Sequence, residues 1–324
     1  MQLDVKNVGR QRGPAAVSIS KKHFRNLVKI SAANAIAIYQ GGYQINSGDK
    51  WRTALNLWAI PENILSQAEE SPWIHPPVLF DIPKIIENSP SHERAREVLV
   101  SKGSVLDVGC GGGIASFALV PHINKAIGVD HQKEMLEMFS KNSERFGVSH
   151  QEIMGFWPDV SEFVPQVDVV VSHHVAYNVQ NIEDFLIALN NKANKRVVIE
   201  IPIRHPLSNL NYLWKHFWNL ERPSVPTAEH LQEIAINLGF NVKFQKWSGQ
   251  MRSELNIEHA AEFNRIRLCL PSTKFDEVLE IMKGNPGEEK RELATIWWDI
   301  ESTDRKSTRL NSSHTDISRM PSSA

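Results

Sequence analysis

The nine residues at 105–113, Val-Leu-Asp-Val-Gly-Cys-Gly-Gly-Gly, carry the densest chemical signal in the chain. An apolar run ends at Asp107 and then turns through Gly109, Gly111, Gly112 and Gly113. Glycines let the backbone turn sharply and let a ligand approach where a Cβ would collide. The dinucleotide pattern Gly-x-Gly-x-x-Gly fails here, because Ile114 stands at its third position. At the end of the next apolar run, Gly128-Val-Asp130 places a carboxylate that can accept hydrogen bonds from both hydroxyls of a ribose. The alternative is that Asp130 merely caps a helix beginning at Gln132.

Two further clusters follow later apolar runs: His173, His174, Tyr177 and Asn178, then Glu200, Arg204 and His205. In an open parallel sheet, ligands bind beyond the carboxyl ends of the strands, so both clusters are expected to face the reacting group. Histidine titrates near neutrality and is a natural proton acceptor. Adjacent histidines point in different directions, so at most one of His173 and His174 is expected to meet a substrate; a structural role is the other reading. A mutual ion pair is the competing reading for Glu200 and Arg204. A metal site at His173, His174 and His205 is not expected, for want of a carboxylate at ligand spacing.

The elements that must position these residues alternate. Strands are predicted at 104–108, 126–129, 151–154, 168–172 and 196–201, and helices at 113–119, 132–146 and 183–192. This alternation indicates an α/β fold with a parallel sheet and helices on both faces. Further on, an amphipathic segment is predicted at 207–220, a helix from Thr227 to Gly239, a strand at 241–247, helices at 258–270 and 275–283, and a β-rich run at 293–300. Before the first strand, residues 49–102 form proline-punctuated helical pieces that we read as a cap. Its aromatics Trp51, Trp58, Trp73 and Phe80 either line a pocket or, the more ordinary outcome, pack the cap onto the core.

Asp107 two positions before the first glycine, Gly109, Gly111, Asp130 and the Asp-Val-Val-Val-Ser run at 168–172 together resemble the class I S-adenosylmethionine-dependent methyltransferases over 104–202. The resemblance implies a Rossmann-like fold with a mainly parallel seven-stranded sheet, S-adenosylmethionine as cofactor, and a catalytic domain at 103–303. It implies that Gly109 and Gly111 pass under the methionine part, that Asp130 holds the ribose, and that Asp107 organises the loop or meets the cofactor's amino group. Candidate cofactor contacts are thus Asp107, Gly109, Cys110, Gly111, Asp130, His131, Trp157 and Ser172; catalytic candidates are His173 and His174; substrate candidates are Tyr177, Asn178, Arg204 and His205. Many relatives carry Gly-Asp-Ala after the third strand, where this chain has Gly155-Phe156-Trp157. Adenine is then expected to meet the backbone near Trp157 and a stacking ring, or Asp159. The segments at 71–77, 173–178, 204–208, 220–223 and 268–271 are similar to a bacterial group of small class I methyltransferases.

A net charge of -1 among 324 residues gives no attraction to phosphate backbones or anionic membranes. Two cysteines, Cys110 and Cys269, make no disulfide framework, and no apolar run reaches the roughly 20 residues needed to span a bilayer. A cytoplasmic enzyme with a small-molecule methyl acceptor, as monomer or homodimer, is expected. The alternatives are an RNA or protein methyltransferase, a non-catalytic S-adenosylmethionine-binding protein and, at the level of the fold, an oxidoreductase. Residues 1–48 read as a weakly ordered arm or as upstream sequence from a misplaced start. Residues 304–324 resemble a translated sequencing adaptor and are expected to be non-native and disordered.

Overall fold

The computed structural model describes residues 46–73, 80–83, 85–250, 256–285 and 290–301. All but Asn46 belong to one compact unit, Ser47–Ala324. The expectations for the tail at 304–324 and for nearly all of the N-terminal arm lie outside the described residues.

In chain order the elements are α1 (Ser47–Asn56), α2 (Glu62–Leu65), α3 (Pro90–Arg96), β1 (Gly103–Val108), α4 (Ile114–Phe117), β2 (Ile123–Asp130), α5 (Lys133–Phe146), β3 (Ser149–Met154), β4 (Val167–His173), α6 (Ile182–Lys192), β5 (Ala193–Pro202), α7 (Asn211–Trp218), α8 (Ala228–Asn237), β6 (Lys243–Gln250), α9 (Ile257–Arg267), α10 (Phe275–Gly284) and β7 (Lys290–Asp299). The sheet runs β3-β2-β1-β4-β5-β7-β6. Its first five strands are parallel, and β7 pairs antiparallel with both β5 and β6. Strand order reverses between β1 and β4, so a crevice opens beyond their carboxyl ends.

The central strands are apolar throughout because both faces are covered. Leu106, Ile127, Val170 and Val197 face one core with Phe185 of α6 and Leu231 of α8. Val105, Ala126, Val169 and Val198 face another with Phe139 of α5 and Ala95 of α3. The α5 stripe Met135, Leu136 and Phe139 is buried at helical spacing, and Gly147, at φ 65°, ends the helix. A third cluster joins α7, α9 and α10 to Ile64 of α2.

The piece expected as a cap is partly core. Trp51 of α1 is buried, stacks on Tyr177 with centroids 5.6 Å apart, and donates its indole N–H to the Val179 carbonyl at 2.8 Å. Trp58 is buried as well and donates to the Val225 carbonyl at 2.7 Å. The single amphipathic segment expected at 207–220 is divided. Pro206 opens a 3-10 turn, Pro206–Leu210, before α7, and Asn219, at φ 46°, closes that helix.

Candidate cofactor and acceptor site

The glycine loop is fixed from beneath by β2. Gly109 and Cys110 donate their N–H groups to the Val129 carbonyl at 2.8 and 3.1 Å. Gly109 has φ +73°, and a Cβ there would stand 2.4 Å from Cγ2 of Val175, so both the conformation and the space require glycine. Gly111, at φ +49°, donates its N–H to Oδ2 of Asp130 at 3.1 Å. Oδ1 of the same carboxylate accepts from the Gln132 N–H at 3.0 Å. Gln132 itself is the N-cap of α5, and no side chain caps it. Asp130 therefore joins the loop to the end of β2, and each of its oxygens keeps a lone pair beyond these bonds.

Asp107 is buried beneath the loop and accepts the Ser116 hydroxyl at 2.9 Å. Burial pushes its carboxyl up to about 7, against the lowering effect of Ser116. Cys110 is buried with its Sγ against Gly128, and burial raises its thiol well above the ordinary range. Ser172 donates to the Val108 carbonyl at 3.0 Å, tying β4 to β1 where the strand order reverses. His131 lies beside Asp130 and stacks on Phe156 with centroids 4.8 Å apart. Trp157 is turned the other way: it packs against the core and donates to the Phe185 carbonyl at 3.3 Å. The exposed ring beside the ribose candidate is thus Phe156.

On the acceptor side, β4 ends at His173, which pairs in register with Glu200 of β5, itself opposite Thr295 of β7. Oε2 of Glu200 accepts the Ser89 hydroxyl at 3.0 Å, and Oε1 lies 3.1 Å from Nε2 of His174. Glu200 therefore pairs with Ser89 and His174 rather than in the ion pair with Arg204 considered from the sequence. Burial opposes its ionisation, but His173, the His174 hydrogen bond and His92 outweigh burial and hold the carboxyl well below its ordinary range. His174 sits at φ 62°, a left-handed conformation that costs a side chain free energy, and its N–H donates to the Glu200 carbonyl at 2.8 Å.

Arg291 brings Nη2 to 3.2 Å from the same His174 Nε2. That nitrogen cannot both donate to the carboxylate and accept from the guanidinium. The proton belongs on Nε2, because the buried carboxylate would otherwise lose a donor, whereas the partly exposed guanidinium can turn to water. Neutral His174 is then basic at Nδ1.

Two histidines complete this cluster. Ser89 caps α3, accepting the His92 N–H at 3.3 Å while Nδ1 of His92 accepts the Ser89 N–H at 3.2 Å. His92 stacks on His173 with centroids 5.6 Å apart. Burial lowers His92 to about 3, with His173 adding to the effect. Burial likewise lowers His173 to about 4, with Glu200 opposing. Nε2 of His173 is buried with no hydrogen-bond partner among the described residues.

Tyr177 and His205 form a separate group. The Tyr177 hydroxyl donates to the Pro202 carbonyl at 2.8 Å, and burial raises it. His205 stacks on Trp58 at 3.9 Å and accepts the Leu207 N–H at 3.3 Å; burial and then Arg222 lower it to about 4. Asn178 and Arg204 are exposed, and Arg204 bridges to Thr227 through the backbone. Sequence reasoning missed Ser89, His92 and Arg291. A Ser-Pro start marks the α3 cap, but nothing local signals contact with a carboxylate on β5. Among the described residues no cluster of three or more His, Cys, Asp or Glu is arranged to hold a metal ion, and no helix is long and apolar enough to cross a membrane.

An uncharacterized protein of Haemophilus influenzae is 31% identical over 97 residues, covering 30% of this chain and 36% of that protein, so the chain spans only about a third of that relative's length. Among solved structures, a candidate methyltransferase from Bacillus halodurans is 14% identical with a TM-score of 0.47, covering 66% of this chain and 100% of that one. YcgJ from Bacillus subtilis is 16% identical with a TM-score of 0.45, covering 65% and 98%. Residues 86–243 match the family model described as a methyltransferase domain. The glycine loop, the carboxylate at the end of β2 and the five parallel strands β1 to β5 all lie within the residues that match this methyltransferase domain.

Proposed function

We propose that this chain transfers a methyl group from S-adenosylmethionine to a small-molecule acceptor, with 103–303 as the catalytic domain and 49–102 contributing the cap. The observation that carries this reading is the Asp130 carboxylate. It is held at the lip of the sheet by one backbone N–H on each oxygen, beside a loop whose glycines Gly109, Gly111 and Gly113 take left-handed backbone conformations. Those two acceptor oxygens suit a ribose diol, and glycines without Cβ atoms suit close approach of the methionine portion.

The cofactor, when bound, supplies an electrophilic methyl group on a sulfonium. The chain's contribution is to hold the acceptor near attack geometry and to receive its proton. Gly109, Cys110 and Gly111 fix the loop, Asp130 grips the ribose, and His131 with Phe156 offers a ring face to the adenine. His174 stands nearest a role as base, because its imidazole is partly exposed while His173 is stacked against His92. A net charge of -1 supports a small acceptor over a phosphate backbone.

Titration calorimetry with S-adenosylmethionine and with S-adenosylhomocysteine tests the cofactor assignment. Two charge-assisted hydrogen bonds to a ribose contribute about 1.5–3 kcal/mol each, so Asp130→Ala is expected to weaken both ligands by at least about tenfold. Unchanged affinity in that variant removes the ribose assignment.

A further inference from the structure

We infer that Glu200 is the positioning residue of a Ser89–Glu200–His174 hydrogen-bond chain that sets His174 as the proton acceptor, and that the acceptor substrate reacts through an oxygen or nitrogen bearing a proton. This rests on the methyltransferase reading and adds to it the role of Glu200 and the class of acceptor.

The geometry is specific. Glu200 lies one strand from the reacting end of β4, with its two oxygens given to different elements. Ser89 at the start of α3 holds Oε2 at 3.0 Å, and His174 after β4 meets Oε1 at 3.1 Å. The Ser89 hydroxyl also accepts the His92 N–H, so the cap of α3 fixes the orientation of the hydroxyl that fixes the carboxylate. The His174 backbone is held left-handed by its bond to the Glu200 carbonyl, so one residue anchors both the main chain and the side chain of the imidazole. Strain of this kind persists only where the surroundings over-determine it. The groups facing His174 are Glu200 from β5 and Arg291 from β7; His173 precedes it at the end of β4, and His92 from α3 stacks on His173. Of these, Glu200 is the buried carboxylate in hydrogen-bond contact.

In the reaction, a lone pair on the acceptor atom forms the new bond to the methyl carbon as the carbon–sulfur bond breaks and its electron pair returns to sulfur. The acceptor's proton passes to Nδ1 of His174, and the imidazolium is paired with Glu200 through Nε2–H. An acceptor without a proton, such as a thioether or tertiary amine, would have no use for this arrangement.

Two measurements on the full chain test this. First, long-range nitrogen–proton NMR of the imidazoles, with His174 assigned from its loss in His174→Gln, should show neutral His174 protonated on Nε2. In Glu200→Ala, which removes the acceptor facing Nε2, the Nδ1-protonated form should gain population. Protonation on Nδ1 in the parent, or an unchanged tautomer balance in the variant, overturns the proposal. The parent reading stands even if the variant does not fold. Second, transfer of tritiated methyl from S-adenosylmethionine into a deproteinised cell extract should drop about 10- to 100-fold in Glu200→Gln. Binding of S-adenosylhomocysteine should stay unchanged. Equal transfer overturns the positioning role, whereas failure of the parent to bind that ligand counts against the methyltransferase reading itself.

Discussion

At the scale of single residues, backbone geometry decides more than side-chain chemistry. Gly109 is the sharpest case, because its φ of +73° and its distance of 2.4 Å from a would-be Cβ to Val175 are independent obstacles to any other residue. Gly109→Ala is expected to cost about 1–2 kcal/mol for the left-handed backbone and about 1–3 more for overpacking. Urea unfolding should report that loss, and a variant as stable as the parent would mean that the loop can relax away from Val175. Residues with a local signature were legible: the acidic residue before the loop, the glycines, and Asp130 closing the next strand. Phe156 and Trp157 were not separable by sequence, because both are large aromatics in adjacent positions. Only packing against α6 decides that Trp157 goes inward and Phe156 stays exposed.

At the scale of elements, the central strands were legible because burial on both faces forces runs such as the three valines at 169–171. The observed β1 to β5 contain the expected segments and extend them at one or both ends, where lysines and other polar residues sit at the sheet margin and hide the signal. The part preceding β1 was the hardest to read. Prolines gave its breaks, yet nothing in its sequence shows that α1 sends Trp51 into the same core as the sheet. Nor does it show that the start of α3 reaches Glu200, since that hydrogen bond joins residues 111 positions apart. Long-range pairings of this kind are set by tertiary packing, which a local pattern does not encode. Element order placed the two histidines at the carboxyl end of β4. The Ser89, His92 and Arg291 contacts became visible only when α3 and β7 were folded against that end.

At the scale of the whole molecule, buried titratable groups make stability depend on pH. His92, His173 and His205 are lowered to about 3, 4 and 4, so at mildly acidic pH they are neutral in the fold and protonated in the unfolded chain. The unfolded state then binds more protons, and stability falls as pH drops below the ordinary histidine value toward those lowered ones. Asp107, raised to about 7, acts in the opposite sense over the range from the ordinary aspartate value to about 7, because the fold keeps it protonated there. Three groups outweigh one, so urea unfolding is expected to show the protein roughly 2 kcal/mol less stable at about pH 5 than at about pH 6.5. Equal or greater stability at the lower pH would mean that these imidazoles are more solvated than their packing indicates. The proposed function rests on the glycine loop, the Asp130 carboxylate and His174 standing at one end of one sheet. The most direct test is to incubate the full chain with S-adenosylmethionine tritiated on its methyl group and a deproteinised cell extract, then follow the label. Label moving into the low-mass fraction above a protein-free control is the result expected; label absent from that fraction, or appearing only in added RNA or protein, would contradict a small-molecule methyltransferase.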